Sequence, residues 1–129
     1  ELDWERLTQT AGPYPIDAFN FVREGLSFTA HKVHSDIESV QEQDRHISGQ
    51  QLCMGLRDFA IERYGLLAQA VLDHWHIPRT DDFGRIVFAM VDQGLLSKTQ
   101  EDTPDDFRAV YDFDEAFSAA EVIARVGSN

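Results

Sequence analysis

The sequence has little cysteine: Cys53 is the only one among 129 residues. A single thiol excludes an intramolecular disulfide and a zinc site built from several cysteines, and it is typical of a reducing compartment. Long apolar runs are also missing, since no segment approaches the roughly 20 residues that a membrane-spanning helix needs. No signal peptide is recognisable. We therefore expect a cytoplasmic protein that does not enter a membrane.

Basic residues are scarce as well. The chain carries 11 lysines and arginines against 23 aspartates and glutamates, which gives a net charge of −12. Nucleic-acid affinity depends largely on lysine and arginine neutralising phosphates, and a negative field of this size opposes that approach at long range. Peripheral binding to anionic lipid is disfavoured for the same reason. The charge balance therefore argues against nucleic acid and membranes as partners.

Catalytic motifs are missing too. The sequence contains no P-loop, no glycine-rich dinucleotide turn, no nucleophile elbow and no kinase signature. Paired aspartates occur at Asp81-Asp82 and Asp105-Asp106. Both pairs fall at candidate helix starts, where carboxylates cap the helix and face the positive end of its dipole. The sequence thus predicts no catalytic residue and no cofactor.

One set of histidines has the composition of a metal site. His31 and His34 stand three residues apart on a predicted helix, so their side chains share a face, and His46 follows a polar stretch, 35–45. Histidines with neighbouring carboxylates bind zinc and other divalent ions. Alternatively, the first two are exposed at a helix C-terminus, where the dipole favours positive charge. The spacing matches no specific zinc signature, and both interpretations stay open.

Apolar residues make up 43% of the chain and include nine phenylalanines, which predicts a packed globule. Their three- and four-residue spacing predicts a helix from Ile16 to Val33, and a capping box from Ser48 to Gln51 predicts that another begins at Gly49. Helices are predicted over about 2–10, 16–33, 49–64, 66–75 and 81–93, with a last one from Asp114 that has Ala116, Phe117, Ala120, Ile123 and Ala124 on one side.

The stretch between Gly94 and Asp114 is ambiguous. Leu95–Thr99 and Ala109–Tyr111 fit the two strands of a small β-hairpin. Thr103–Asp106 instead fits a helix start with proline at its first position. We favour the hairpin and keep the helix start as the alternative.

With that hairpin, residues 48–113 have the order of elements of a winged helix. The fold prediction is a mainly α, single domain (1–129), with N-terminal helices in 1–34, a winged-helix-like core in 48–113 and a C-terminal helix in 114–126. An irregular helical bundle with a small hairpin is the alternative. Four acidic residues in the predicted wing would repel phosphates, so a winged-helix module of this kind is expected to bind protein rather than DNA.

Six strings spread over the chain carry a resemblance to a known family. They are Tyr14-Pro15, Ala18–Thr29, Arg45–Leu52, Asp82–Phe88, Gly94–Thr99 and Asp105–Phe113. In these strings the chain resembles a family of conserved uncharacterised proteins best known from planctomycete and verrucomicrobial bacteria. The similarity runs from about Tyr14 to Phe117. It implies a single-domain, cytosolic bacterial protein, and it carries over no catalytic residue.

Polar and aromatic residues meet at three predicted helix junctions within these strings. Arg45 and His46 precede one helix, Asp82 begins another, and Tyr111 and Asp112 precede the last. A structural hypothesis is that Arg45 pairs with Asp82 or Asp112 and holds the helix ends together. A functional hypothesis is that all five residues line one pocket or one partner surface.

These observations favour a non-enzymatic module that binds another protein, or a second copy of itself, through an acidic or aromatic surface. Two alternatives stay open. One is a small metal- or ligand-dependent enzyme that uses His31, His34, His46 or His74 with nearby carboxylates. The other is a winged-helix DNA-binding regulator.

Overall fold

Seven α-helices and two short 3₁₀ turns make up the regular structure of residues 4–33, 47–96 and 103–126, which a computed structural model describes. The helices are α1 (Trp4–Ala11), α2 (Ile16–Val33), α3 (Gly49–Tyr64), α4 (Ala68–His74), α5 (Thr80–Asp92), α6 (Phe113–Ala116) and α7 (Ala119–Val126). The first 3₁₀ turn is Gly65–Leu67 and the second is Pro104–Phe107. The predicted mainly α class is confirmed.

The capping box at the start of α3 is confirmed. The Ser48 hydroxyl accepts the backbone N–H of Gln51 at 3.1 Å, and the Ser48 N–H donates to Gln51 Oε1 at 2.9 Å. The helix ends before Gly65, whose φ of 55° lies in the left-handed region that glycine adopts without strain. Local signals in the sequence therefore locate both ends of α3.

Helices α2 and α3 approach each other closely at two glycines. A Cβ atom on Gly25 would lie 2.2 Å from Leu56 Cδ2, and one on Gly55 would lie 1.8 Å from Thr29 Oγ1. Thr29 is buried, and its hydroxyl donates to the Gly25 carbonyl at 2.7 Å, which satisfies the polar group and fixes its position. The resulting contact between α2 and α3 is the most extensive one between described elements.

Aromatic side chains cover α2 on two sides. On one side Phe19 packs against Trp4 of α1, with ring centroids 5.8 Å apart. On the other side Phe21 packs against Phe59 of α3 at 5.3 Å and Trp75 at 5.4 Å. Such tilted and edge-on pairs add to the free energy of burial. This double coverage accounts for phenylalanines that fall outside a single apolar stripe on α2.

The second 3₁₀ turn rests on the amino end of α5. Its Phe107 is buried, and a Cβ atom on Gly84 would lie only 2.9 Å from the Phe107 side chain. The buried Thr80 hydroxyl donates to the Phe107 carbonyl at 2.7 Å and accepts the Val110 N–H at 3.0 Å. The Thr80 hydroxyl, at the first residue of α5, thus holds this distant loop.

The predicted β-hairpin is not supported. The described residues contain no strand, and Ala109–Tyr111, predicted as the second strand, forms a turn and a bend. Leu95–Leu96 forms a bend, and the rest of the first predicted strand, 97–99, lies outside the described residues. The winged-helix-like core in 48–113 depends on that hairpin and is not supported either.

Local polar bonds explain why this segment turns instead of extending. Pro104 occupies the first position of the second 3₁₀ turn, and the Thr103 N–H donates to Asp106 Oδ2 at 3.0 Å. Beyond the turn, Ala109 has a left-handed φ of 48°, and its N–H donates to Asp81 Oδ1 at 3.1 Å. The alternative prediction, a helix start at Thr103–Asp106, is confirmed.

The predicted C-terminal helix (114–126) is two helices, α6 and α7, which Phe117 and Ser118 separate. Ala116 and Phe117 are buried, as the apolar stripe predicts. The remaining members of that stripe are exposed: Ala120, Ile123 and Ala124.

Buried side chains from all seven helices form one hydrophobic cluster. Leu7 of α1, Val22 of α2, Leu56 of α3 and Ile86 of α5 are all fully buried in it. Within the described ranges, no helix combines the length and the apolar character needed to cross a membrane.

We expect Gly55→Ala to lower the free energy of unfolding by about 1–3 kcal/mol, because the added methyl group collides with Thr29 and overpacks the α2–α3 contact. The sign of this change in unfolding free energy distinguishes the collision from the ordinary effect of the substitution, because alanine ordinarily stabilises a helix by about 0.5–1 kcal/mol relative to glycine. Urea denaturation measures the change. In the double variant Gly55→Ala/Thr29→Ala the loss should be smaller than the sum of the single losses; strict additivity would contradict the collision.

Candidate functional site

The predicted polar–aromatic cluster is only partly described. Arg45 and His46 lie outside the described residues. The three described members bond to different parts of the chain: the Asp82 carboxylate accepts from Tyr14, the Tyr111 hydroxyl donates to the Cys53 carbonyl, and the Asp112 carboxylate accepts the Glu115 N–H. No hydrogen bond joins these three to one another. A shared pocket of all five residues stays a prediction.

The predicted metal set is also only partly described. His31 is exposed near the end of α2, whereas His34 and His46 lie outside the described residues. His74, the other histidine considered for catalysis, is exposed at the end of α4. Within the described ranges, no three histidine, cysteine, aspartate or glutamate side chains are close enough together to hold an ion.

Asp82 is the one buried charged residue in the described part of the chain, with 5% of its surface exposed. Its Oδ1 accepts a hydrogen bond from the Tyr14 hydroxyl, and the exposed Arg85 guanidinium lies 3.8 Å away. Its Oδ2 is buried without a hydrogen-bond partner among the described residues. The carboxylate lies in the first turn of α5, where the helix dipole favours negative charge. The Tyr14–Asp82 pair thus ties the segment after α1 to the start of α5.

The buried hydroxyl and thiol groups are held in their protonated forms. Burial, together with the hydrogen bond to Asp82 and its charge, raises the pKa of Tyr14 above the usual tyrosine value. Burial, with a smaller contribution from Asp81, raises the pKa of the Cys53 thiol to about 12. Burial also places the pKa of Tyr111 well above its usual range. None of the three supplies an anionic nucleophile near neutral pH.

A network of ion pairs centres on Asp58 of α3. Its carboxylate accepts hydrogen bonds from Lys32 at 2.9 Å, Arg57 at 3.1 Å and Arg125 at 3.1 Å. Burial alone raises the pKa of Asp58, but the hydrogen bonds and charges of Lys32 and Arg57 outweigh burial and lower it. Because Lys32 belongs to α2 and Arg125 to α7, one carboxylate joins three helices.

Exposed apolar side chains are concentrated on α7 and the first 3₁₀ turn, which are in contact. Of the large apolar side chains exposed in the described ranges, the four most exposed lie on these two elements. They form what we call the apolar face: Leu66 (63% exposed), Leu67 (66%), Ile123 (59%) and Val126 (51%). Scattered exposed apolar residues are ordinary, whereas a cluster of them marks a candidate interaction surface.

A groove adjoins the apolar face at Leu66 and runs between α4 and the start of α6. We call it the acidic groove; it is lined by Leu66, Ile77 and Phe113 together with Asp73, Asp112 and Asp114. Its exposed apolar lining consists of Leu66, Ala70 and Pro78, whereas Ile77 and Phe113 are almost wholly buried. No lysine or arginine from the described ranges lines it. Gln69 of α4 donates to Asp114 Oδ1 at 2.8 Å, which fixes one wall against the other.

The chain matches no protein-family profile, and no curated protein or solved structure is significantly similar to it. The resemblance to a bacterial family, which Tyr14-Pro15 and the other strings suggested, therefore stays a prediction. The candidate surfaces follow from the contacts and charges of this chain alone.

Sequence reasoning missed the apolar face. Leu67 falls within the predicted helix 66–75 and Ile123 on the apolar side of the last predicted helix, yet both side chains are exposed. One signal was present: apolar residues occupy more than one side of α7, since Val122 and Ile123 are consecutive. Only Val122 is buried within that helix. A short helix with apolar residues on two sides exposes one of them unless another element covers it.

We expect Tyr14→Phe to lower the free energy of unfolding by about 1–3 kcal/mol, because it leaves the buried Asp82 carboxylate without its hydroxyl donor. Urea denaturation of Tyr14→Phe, Asp82→Leu and the double variant forms a cycle that isolates the pair. In the Asp82→Leu background the tyrosine substitution should have little effect. An equal loss of unfolding free energy in both backgrounds would contradict the prediction, because it would show that the Tyr14 hydroxyl contributes through something other than its bond to Asp82.

Asp58→Asn should destabilise the protein near pH 7 and lose this effect in acid. A carboxylate whose folded-state pKa is lowered contributes stability above its unfolded pKa of about 4, and the contribution disappears as the pH falls through the folded value. Urea denaturation from pH 7 to about pH 3 measures the difference. Asp105→Asn is the matched control, because Asp105 is exposed and, among the described residues, its carboxylate pairs with the exposed Arg108. A difference independent of pH would contradict the prediction.

Proposed function

We propose that this chain is a non-enzymatic interaction module that binds another protein through the apolar face. The observation that carries the proposal is the placement of the four most exposed large apolar side chains on two contacting elements, α7 and the first 3₁₀ turn. Removing such a cluster from water is the main favourable contribution to protein association.

The anchoring of α7 supports this role. Arg125 on this helix pairs with Asp58 at 3.1 Å and with Glu121 at 3.0 Å. Its buried Val122 packs in the core, so the helix is fixed on one side and presents Ile123 on the other. A rigid surface loses little conformational entropy on binding, which favours affinity.

The chemistry of the buried groups favours binding over catalysis. Tyr14, Cys53 and Tyr111 all have raised pKa values and are protonated near neutral pH. Catalytic sites instead commonly hold a nucleophile or base with a pKa near the working pH. We extend the proposal to a cytoplasmic location, because the sole cysteine is a free thiol and free thiols are typical of reducing compartments.

Affinity capture with matched variants tests the proposal. The tagged chain, the face variant Leu67→Ser/Ile123→Ser and the control Ile16→Ser/Val33→Ser are each used to capture proteins from a lysate of the source organism. The control removes two exposed apolar side chains that lie on α2 (49% and 39% exposed). A captured protein is then purified and titrated against all three by light scattering and calorimetry.

We expect the face variant to weaken binding of the captured protein at least about tenfold, since each substitution removes an apolar side chain from the interface. The control should bind as the natural chain does, and all three should show the same thermal transition. The proposal would be overturned if the face variant and the control bound the captured protein equally well. It would also be overturned if the chain were a monomer and no captured protein bound it saturably.

A further inference from the structure

We infer that the acidic groove takes a cationic amphipathic segment of the partner protein, with its apolar side chains against Leu66, Ala70 and Pro78 and its lysine or arginine beside the carboxylates of the groove. The inference rests on the proposed function and deepens it by naming the chemistry of the partner. It is carried by the juxtaposition of three carboxylates with the exposed apolar side chains of Leu66, Ala70 and Pro78.

Exposed apolar side chains along the groove supply the apolar part of this recognition. Leu66 stands at the edge of the groove with 63% of its surface exposed, and the lining residues Ala70 and Pro78 are exposed as well. Leu66 belongs to both the acidic groove and the apolar face, so the two surfaces are continuous. A segment that lies in the groove would therefore bury Leu66 while its carrier protein covers Ile123.

The walls supply the charge. Asp73 on α4 and Asp114 on α6 are exposed carboxylates that line the two sides of the groove. Asp112 has a structural task as well, because it caps α6 by accepting the Glu115 N–H at 3.2 Å. Both walls carry carboxylates, and no lysine or arginine of the described ranges is among the lining residues. The groove therefore has a negative potential that a cationic segment complements.

A second copy of the chain is disfavoured as the occupant. In a two-fold dimer the same surface patch meets itself, which would bring Asp73, Asp112 and Asp114 close to the same residues of the partner copy. Each copy also carries a net charge of −12, so the two repel at long range. Phosphates of nucleic acids and anionic lipids meet the same repulsion.

Three labelled peptides of about 14 residues, or four helical turns, probe the groove by fluorescence anisotropy with the full chain. The first alternates leucine and lysine at helical spacing. The second has glutamate in place of each lysine, and the third has serine in place of each leucine. Titrations at about 0.1 M and about 1 M NaCl separate screened from short-range contributions, since the Debye length falls from ~10 Å to ~3 Å.

Matched variants distinguish binding in the acidic groove from general attraction of the peptide by the net charge of the chain. The groove variant Asp73→Asn/Asp114→Asn removes two wall charges, and asparagine at position 114 still accepts from Gln69. The control Glu5→Gln/Asp17→Asn removes two exposed charges from the first turns of α1 and α2. Leu66→Gln tests the apolar contact, and Ile16→Gln is its control.

We expect the leucine–lysine peptide to bind saturably, and the groove variant and Leu66→Gln each to weaken it about fivefold to tenfold. The two controls should weaken it less than about twofold. Equal effects of groove and control variants, equal binding of the serine–lysine peptide, or no saturation below about 1 mM would overturn the inference. A dimer that Leu66→Gln dissociates in sedimentation would replace the cationic segment with a second copy.

The two proposals fail separately. If the leucine–lysine peptide does not bind but a captured partner still depends on Leu67 and Ile123, the groove inference is wrong and the interaction module stands. If capture finds no partner that depends on the apolar face, the proposed function is wrong whatever the peptides do.

Discussion

The close approach of α2 and α3 at Gly25 and Gly55 is the constraint on which the other helices depend. A methyl group at either glycine would overlap its neighbour, so the two helices lie nearer together than ordinary side chains allow. This close contact fixes the position of α3 relative to α2. Helices α4, α5 and α7 and both 3₁₀ turns contact α3. The apolar face and the acidic groove therefore depend for their geometry on the contact between α2 and α3.

Polar bonds at the amino end of α5 join segments that are distant along the chain. Tyr14 reaches Asp82 across 68 residues, and Thr80 bonds to both Phe107 and Val110. A buried hydroxyl or carboxylate without a partner is costly, so these pairs favour one arrangement over similar compact ones. Through Thr80 they also set the path of the chain toward α6 and hence one wall of the groove.

The features that could be predicted from the sequence are those that depend on neighbours along the chain. The Ser48 capping box and Gly65 define α3 because each acts within one helical turn. Ala109–Tyr111 has residues that favour strands, but long-range bonds from Thr80 and Asp81 turn the backbone there. The exposure of Ile123 could not be predicted for a related reason, since apolar spacing shows which residues share a side of a helix but not whether anything covers that side.

The position of Cys53 has a consequence for measuring how the molecule opens. The thiol is fully buried on α3 and has a pKa of about 12, so almost none of it is a reactive thiolate while the helices stay packed. Alkylation must then wait until α3 separates from its neighbours. Since the chain has no other cysteine, the rate of labelling at this one atom measures how often α3 opens enough to expose it, and the measurement requires no engineered probe.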